Sequence, residues 1–256
     1  MTFLQGFILF CAAILGGTLN SVAGGGSFIT LPSLIFVGIP PINANATSTV
    51  AIWPGSVAGM GAYRKELAKQ RRLVVILLSI TSLIGGVLGA ELLLSTSQAT
   101  FVKLLPYLLL IATVLFALSG PITARMHRKT TLQNRLPWLT LAGISVLQLI
   151  IAIYGGYFGG GIGILMLASL GLMGMENIHE MNAMKTLLAT LINGVAVIIF
   201  ILRGVVAWPQ TIVMVVGAII GGYAGAYYAR KIDQRWIRGF VILVGVGMTI
   251  YFFVRG

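Results

Sequence analysis

Ile84-Gly85-Gly86-Val87-Leu88-Gly89-Ala90 returns later in the chain as Ile220-Gly221-Gly222-Tyr223-Ala224-Gly225-Ala226, and that return decides the fold. Three more blocks come back in the same order. Gly24-Gly25-Gly26 is matched by Gly159-Gly160-Gly161, and Asn45-Ala46-Thr47-Ser48-Thr49 by Asn182-Ala183-Met184-Lys185-Thr186. Phe101-Val102-Lys103 has its echo in Trp236-Ile237-Arg238. The offsets stay between 135 and 137 residues, so the chain consists of two tandem homologous halves. In a hydrophobic chain this plan points to transport, because many transporters oppose two related helical bundles across a central substrate site.

Composition sets the solvent. Hydrophobic residues make up 58% of the chain and charged residues 9%, and the mean hydropathy is +1.00. A membrane helix needs ~20 apolar residues. Stretches 3–22, 73–94, 101–120, 136–156, 181–202, 208–229 and 236–254 meet that need, while 26–39, 43–62 and 160–175 are short, polar or glycine-rich. The expected fold is therefore an all-α polytopic membrane protein of 8–10 membrane segments. It has a first repeat over 1–120, a basic linker over 121–135 and a second repeat over 136–256. The first apolar stretch has no basic residue before it and runs straight into the first repeat, as a retained helix rather than a cleaved signal peptide. Cys11, the single cysteine, excludes an intramolecular disulfide.

The formal net charge of +12 would suggest nucleic acid in a soluble protein. Here the basic residues gather in short connections: Arg64, Lys65, Lys69, Arg71 and Arg72; Arg125, Arg128, Lys129 and Arg135; Arg230, Lys231, Arg235 and Arg238. Lys and Arg in short loops mark the cytoplasmic face, where they also meet anionic lipid, so no nucleic-acid partner is expected. Placing all three clusters inside gives the halves opposite topology, with five crossings each and both termini outside. Thirteen of the 17 Lys and Arg then lie inside. The competing arrangement makes 26–39 and 160–175 re-entrant and leaves 11 inside.

Candidate site residues fall in two groups. The glycine blocks come first. Gly24, Gly25, Gly26 and Ser27 join one apolar segment to the next, as do Gly159, Gly160 and Gly161 in the second half. Successive glycines disfavour regular helix, and unwound backbone at membrane depth is tolerated only inside protein or along a cavity. The restarting helix presents free N–H groups and a partial positive charge, a ready anion site, to which Ser27 adds a hydroxyl. The plainer alternative is close helix packing, which is preferred for the Gly85/Gly86/Gly89 and Gly221/Gly222/Gly225 sets.

The second group opens at Asn43. Residues Asn45, Ser48, Thr49 and Ser56 share one helical face, and the matching face of the second half carries Asn182, Lys185, Thr186 and Asn193. Such polar density faces either a pathway or a partner helix. Pro54 favours a kink in the first of these helices. Lys185 stands where the first half has Ser48. A membrane lysine points to function, here attraction of an anion or a protonation change, unless it snorkels to the surface. Glu176, His179 and Glu180 precede it as candidates for carrying a coupling proton, for capping the helix or for pairing with Lys185; as a metal site they are weak. Glu66 and Asp233, in basic loops, read as ion-pair partners, Glu91 as interfacial, and Trp138, Trp208 and Trp236 as interfacial anchors.

A phosphate-binding Gly-x-x-x-x-Gly-Lys-Ser/Thr run, a nucleophile elbow and a zinc motif are all absent, which excludes ATP-driven transport by this chain alone and gives no sign of an enzyme or of a cofactor.

Taken in order, Ala23-Gly24-Gly25-Gly26-Ser27-Phe28-Ile29-Thr30-Leu31-Pro32, Gly38-Ile39-Pro40-Pro41 and the Asn45 helix resemble the TauE/SafE sulfite exporter family, also called the toluene-sulfonate uptake permeases. Gly155 to Gly163, Asn182 to Thr186 and Asn193-Gly194 agree, so the resemblance covers essentially the whole chain. It implies a bacterial-type inner-membrane permease for sulfite or organosulfonates, with its site at the two glycine breaks and the helices after them. Many members continue the first glycine run where this chain has Ser27, which makes Ser27 a selectivity residue or a neutral substitution. Expected partners are a small anionic substrate, the lipid bilayer and, as an option open to this class, further copies in a homo-oligomer. The alternatives are an anion channel and a cation or metal transporter using Glu176, His179 and Glu180.

Overall fold

In hydrocarbon a spanning backbone must satisfy its own hydrogen bonds, which leaves helices for a chain of this composition. The computed structural model describes every residue except 24, 127–137, 176, 229–233 and 256. It contains α1 (Phe3–Ala23), α2 (Ser27–Phe36), α3 (Pro41–Ala62), α4 (Arg64–Ala68), α5 (Arg72–Ser95), α6 (Gln98–Met126), α7 (Trp138–Tyr157), α8 (Ile162–Leu172), α9 (Ile178–Leu202), α10 (Trp208–Tyr228) and α11 (Gln234–Arg255). Among the described residues no strand occurs. The protein is an all-α polytopic membrane protein. Windows in α1, α5, α6 and α9 are long and apolar enough to cross a bilayer.

Two boundaries differ from expectation. A short helix, α4, forms within the first basic cluster, where Lys69 and Gln70 bond back to the carbonyls of Glu66 and Leu67. Helix α6 runs on to Met126, into the stretch assigned to the linker. Pro41 sits in the first turn of α3, where a missing N–H costs nothing. Pro54 lies inside α3, which continues on both sides of it.

Packing crosses between the halves. Helix α1 packs on α10 and α5 on α7; α6 meets α8, α2 meets α11, and α3 lies against α9. The glycine sets make the first two contacts possible. A Cβ on Gly221 would collide with the Ile14 carbonyl, and one on Gly89 with the Ile153 carbonyl. Gly222 faces open space, so that set is not uniformly a packing stripe. On the outward faces Ile84, Leu88 and Leu92 of α5 and Ile212, Val216 and Ile219 of α10 are exposed, the surface a bilayer covers.

Helices α3 and α9, which carry the matching Asn45 and Asn182 blocks, run antiparallel. Trp53 lies on Gly194, and Thr190 donates to the carbonyl of Ser56, 3.4 Å away. At one end Asn43 donates to Val205 O (2.9 Å) and Ala207 N–H to Thr47 Oγ1 (3.0 Å). At the opposite end Gln70 donates to Glu180 (2.8 Å) beside exposed Arg64, Lys65, Lys69, Arg71 and Arg72. The two helices thus cross in opposite directions. This crossing also gathers the uncharged 95–98 connection, through the Gln98–Asn43 hydrogen bond, and Arg203 at the end away from the basic cluster.

Candidate functional site

A cavity of about 170 Å³ opens between the two breaks. Asn20 comes from the end of α1 and Ser27 from the start of α2. Helix α3 supplies Thr49, Ile52, Trp53, Gly55 and Ser56. The α7–α8 break supplies Gly159, with Ile162 and Gly163 of the first turn of α8. Helix α9 supplies Asn182, Lys185, Thr186, Ala189 and Asn193. The spacings 182, 185, 186, 189 and 193 place those five on one helical face. The cavity reaches Tyr63, which joins α3 to the exposed basic helix α4, and so extends towards the basic end. Its volume is below the ~300–1,000 Å³ of sites for drug-sized ligands and suits a small solute.

Lys185 is the charged residue of this lining among the described residues. Its stem crosses α8 at Gly163, where a Cβ would stand 3.3 Å from the lysine Cδ. Glycine at 163 thus leaves the space the lysine occupies. Among the described residues no carboxylate lies within ion-pair distance of Lys185; the ion pair found is Arg203–Glu91, 2.7 Å apart, at the end away from the basic cluster. A half-enclosed ammonium with no counter-ion among the described residues, set among amides and hydroxyls, is suited to an anion. Ile162 and Gly163, in the first turn of α8, bring the positive end of that helix to the same wall.

The two breaks are built differently. Gly159 and Gly161 take left-handed conformations, with φ of 76° and 74°, accessible at low cost to glycine. The Tyr154 hydroxyl donates to Gly160 O (2.8 Å) and fixes the turn. In the first half Gly26 has ordinary helical φ, and a Cβ there would strike the Gly16 carbonyl. Gly26 therefore serves the close approach of α2 to α1.

Of the residues expected from sequence, Ser27, Thr49, Ser56, Gly159, Asn182, Lys185, Thr186 and Asn193 come together around the cavity. Gly25, Gly26, Asn45, Ser48, Gly160 and Gly161 are buried off it, and Gly24 lies outside the described residues. Asn45 donates to the carbonyl of Tyr157 (2.9 Å), and Ser48 shares a 2.6 Å hydrogen bond with Thr30. These two groups tie α3 to α7 and α2 instead of facing the cavity.

The described members of the acidic cluster form no ion pair with Lys185. His179 is exposed, Glu180 accepts from Gln70, and Glu176 lies outside the described residues. Asn177 caps α9, accepting from the N–H groups of His179 (2.9 Å) and Glu180 (3.4 Å). Among the described residues no group of three or more His, Cys, Asp or Glu is placed to hold a metal. Glu66, expected in an ion pair, forms none among the described residues, and its Oε2 is buried without a hydrogen-bond partner. Asp233 lies outside the described residues.

Asn20, Trp53 and Tyr63 were not among the expected site residues. Asn20 donates to Ser56 Oγ (3.2 Å), and the Trp53 indole N–H to Thr190 O (3.1 Å). Asn20 had a sequence signal, a lone amide one turn before the first glycine break; Tyr63, at a helix end, had none.

Comparison with known proteins agrees with this architecture. A family model described as sulfite exporter TauE/SafE matches residues 9–252. A probable membrane transporter protein of Haemophilus influenzae is 32% identical over 244 residues, covering 94% of this chain and 92% of the relative. The probable membrane transporter protein YfcA of Escherichia coli K12 is 30% identical over 247 residues, covering 94% and 87%. ORF9 of Sinorhizobium sp, another probable membrane transporter protein, is 28% identical over 249 residues, covering 94% and 90%. No solved structure matches.

Proposed function

Because this chain belongs to the sulfite exporter TauE/SafE family, we propose that it is a secondary transporter of small sulfur-containing anions, sulfite or organosulfonates, in a bacterial-type inner membrane. The observation that carries this reading is Lys185, the charged residue in a cavity lined from both halves of the chain. The anion sits against its ammonium, the Asn182 and Asn193 amides, the Thr49 and Thr186 hydroxyls and the first turn of α8.

With the basic end cytoplasmic, the cavity faces the cytoplasm. The contacts of Asn45 with Tyr157, Thr47 with Ala207 and Asn43 with Val205 and Gln98 then close the outer side. Rocking one half against the other would break these contacts and remake an outward path around the same residues.

The test is flux of radiolabelled sulfite and short-chain sulfonates in proteoliposomes of the purified chain, with and without a pH gradient. Saturable flux that responds to the gradient supports coupled transport. Flux that rises linearly with concentration makes the protein a channel, and absence of flux for every sulfur anion overturns the reading.

A further inference from the structure

We propose that the cavity selects organic monoanions over dianions, with Lys185 receiving a single charged head and an apolar wall receiving a short carbon body. This inference rests on the anion-transport reading of the same cavity. Among the described residues its charge complement is one: Lys185 is the charged group in the lining, and the other polar lining groups are neutral amides, hydroxyls and backbone. The cations of the first basic cluster are exposed beyond Tyr63 rather than facing the cavity. Arg203 is held by Glu91 at the opposite end.

Neutral donors solvate an anion but do not neutralise it, and a buried charge without a counter-ion is costly. A dianion bound here keeps one charge uncompensated, whereas a monoanion forms a neutral pair with Lys185. Ile52 and Trp53 from α3, and Ile162 and Ala189 from α8 and α9, add apolar surface to the same enclosure. The Trp53 part of this wall is fixed, because the indole N–H is held by Thr190 O and the ring lies on Gly194. A bare oxyanion leaves that surface wet; a two- or three-carbon body covers it.

The test is thermal stabilisation of the purified full-length chain in detergent, titrated at constant ionic strength with ethanesulfonate, propanoate, 1,2-ethanedisulfonate, succinate and sulfate. Half-maximal stabilisation by the two monoanions is expected at concentrations at least tenfold below those of the three dianions, and is expected to be lost for them in Lys185→Gln. Dianions binding as well as or better than their monoanionic counterparts would overturn the inference and leave sulfur-anion transport standing. Sulfate matching ethanesulfonate would do the same. If none of the five binds, the anion-transport reading and the inference fall together.

Discussion

Lys185 packs closely on Gly163: the lysine Cδ lies 3.3 Å from where a Cβ at 163 would stand. The first half carries Phe28 and Ser48 at the matching places, and there the polar group is locked to Thr30 instead. The cavity therefore has its cation on one side only. Gly163→Ala needs a shift of a few tenths of an ångström from a flexible side chain, whereas Gly163→Val forces the ammonium elsewhere. Transport by Gly163→Ala is expected to stay within about threefold of the parent, and by Gly163→Val to need at least ~10-fold more substrate for half-saturation, equivalent to ~1.4 kcal/mol. Equal KM values for both variants in proteoliposome uptake would refute the positioning role of Gly163.

Neutralising the lysine separates function from folding. A charge-assisted hydrogen bond contributes ~1.5–3 kcal/mol, so Lys185→Gln is expected to weaken substrate binding by roughly 10- to 100-fold. The same substitution removes a cation without a carboxylate partner among the described residues, so thermal stability is expected to hold or rise. Uptake and melting temperature measured on one preparation decide this, and unchanged uptake sinks the role of Lys185.

The polar face of α3 divides by function. Asn45 bonds the Tyr157 carbonyl in a buried contact, while Thr49 and Ser56 line the cavity. Asn45→Ala is expected to lower unfolding stability by ~1–3 kcal/mol, the cost of stranding a buried partner. Thr49→Val keeps the shape, and is expected to raise KM severalfold with little change in stability. A shared phenotype for the two variants would contradict the division.

The two adjacent glycines of α10 make an internal control. Gly221 abuts the Ile14 carbonyl of α1 and Gly222 faces open space. Gly221→Ala is expected to destabilise by ~1–3 kcal/mol or to prevent folding, since it forces two packed backbones apart. Gly222→Ala is expected to be neutral or to stabilise by up to ~1 kcal/mol through helix propensity. Detergent-resistant melting of the two variants distinguishes them.

Helix positions were legible in the sequence because each long apolar run has one low-energy form in lipid. Eight of the expected site residues, from Ser27 to Asn193, line the cavity, because polar groups at helical spacing in an apolar chain need a polar surrounding. What spacing cannot tell is which neighbour satisfies a polar group. Asn45 and Ser48 share a face with Thr49, yet a carbonyl on α7 and a hydroxyl on α2 take them. The glycine blocks show the same thing: Gly26 and Gly161 are counterparts in sequence, but one permits helix contact and the other takes a left-handed turn. Trp53 owes its place in the wall to α9, which offers Thr190 O to its indole N–H and Gly194 to its ring.

Orientation is the last point open to a direct test. The basic cluster around Lys69 and the uncharged connection around Ser97 lie at opposite ends of the α3–α9 pair, and both residues are exposed. Cys11 is the single cysteine, so Cys11→Ala gives a thiol-free background. In that background Lys69→Cys is expected to resist a membrane-impermeant maleimide added to intact cells and to react after permeabilisation, because Lys and Arg favour the cytoplasmic side. Ser97→Cys is expected to react in intact cells. Reaction of both from outside would abolish the inverted arrangement, because α5 would then enter and leave the bilayer on one side. Reversal of the two would keep the fold, and would turn the cavity at Tyr63 towards the exterior.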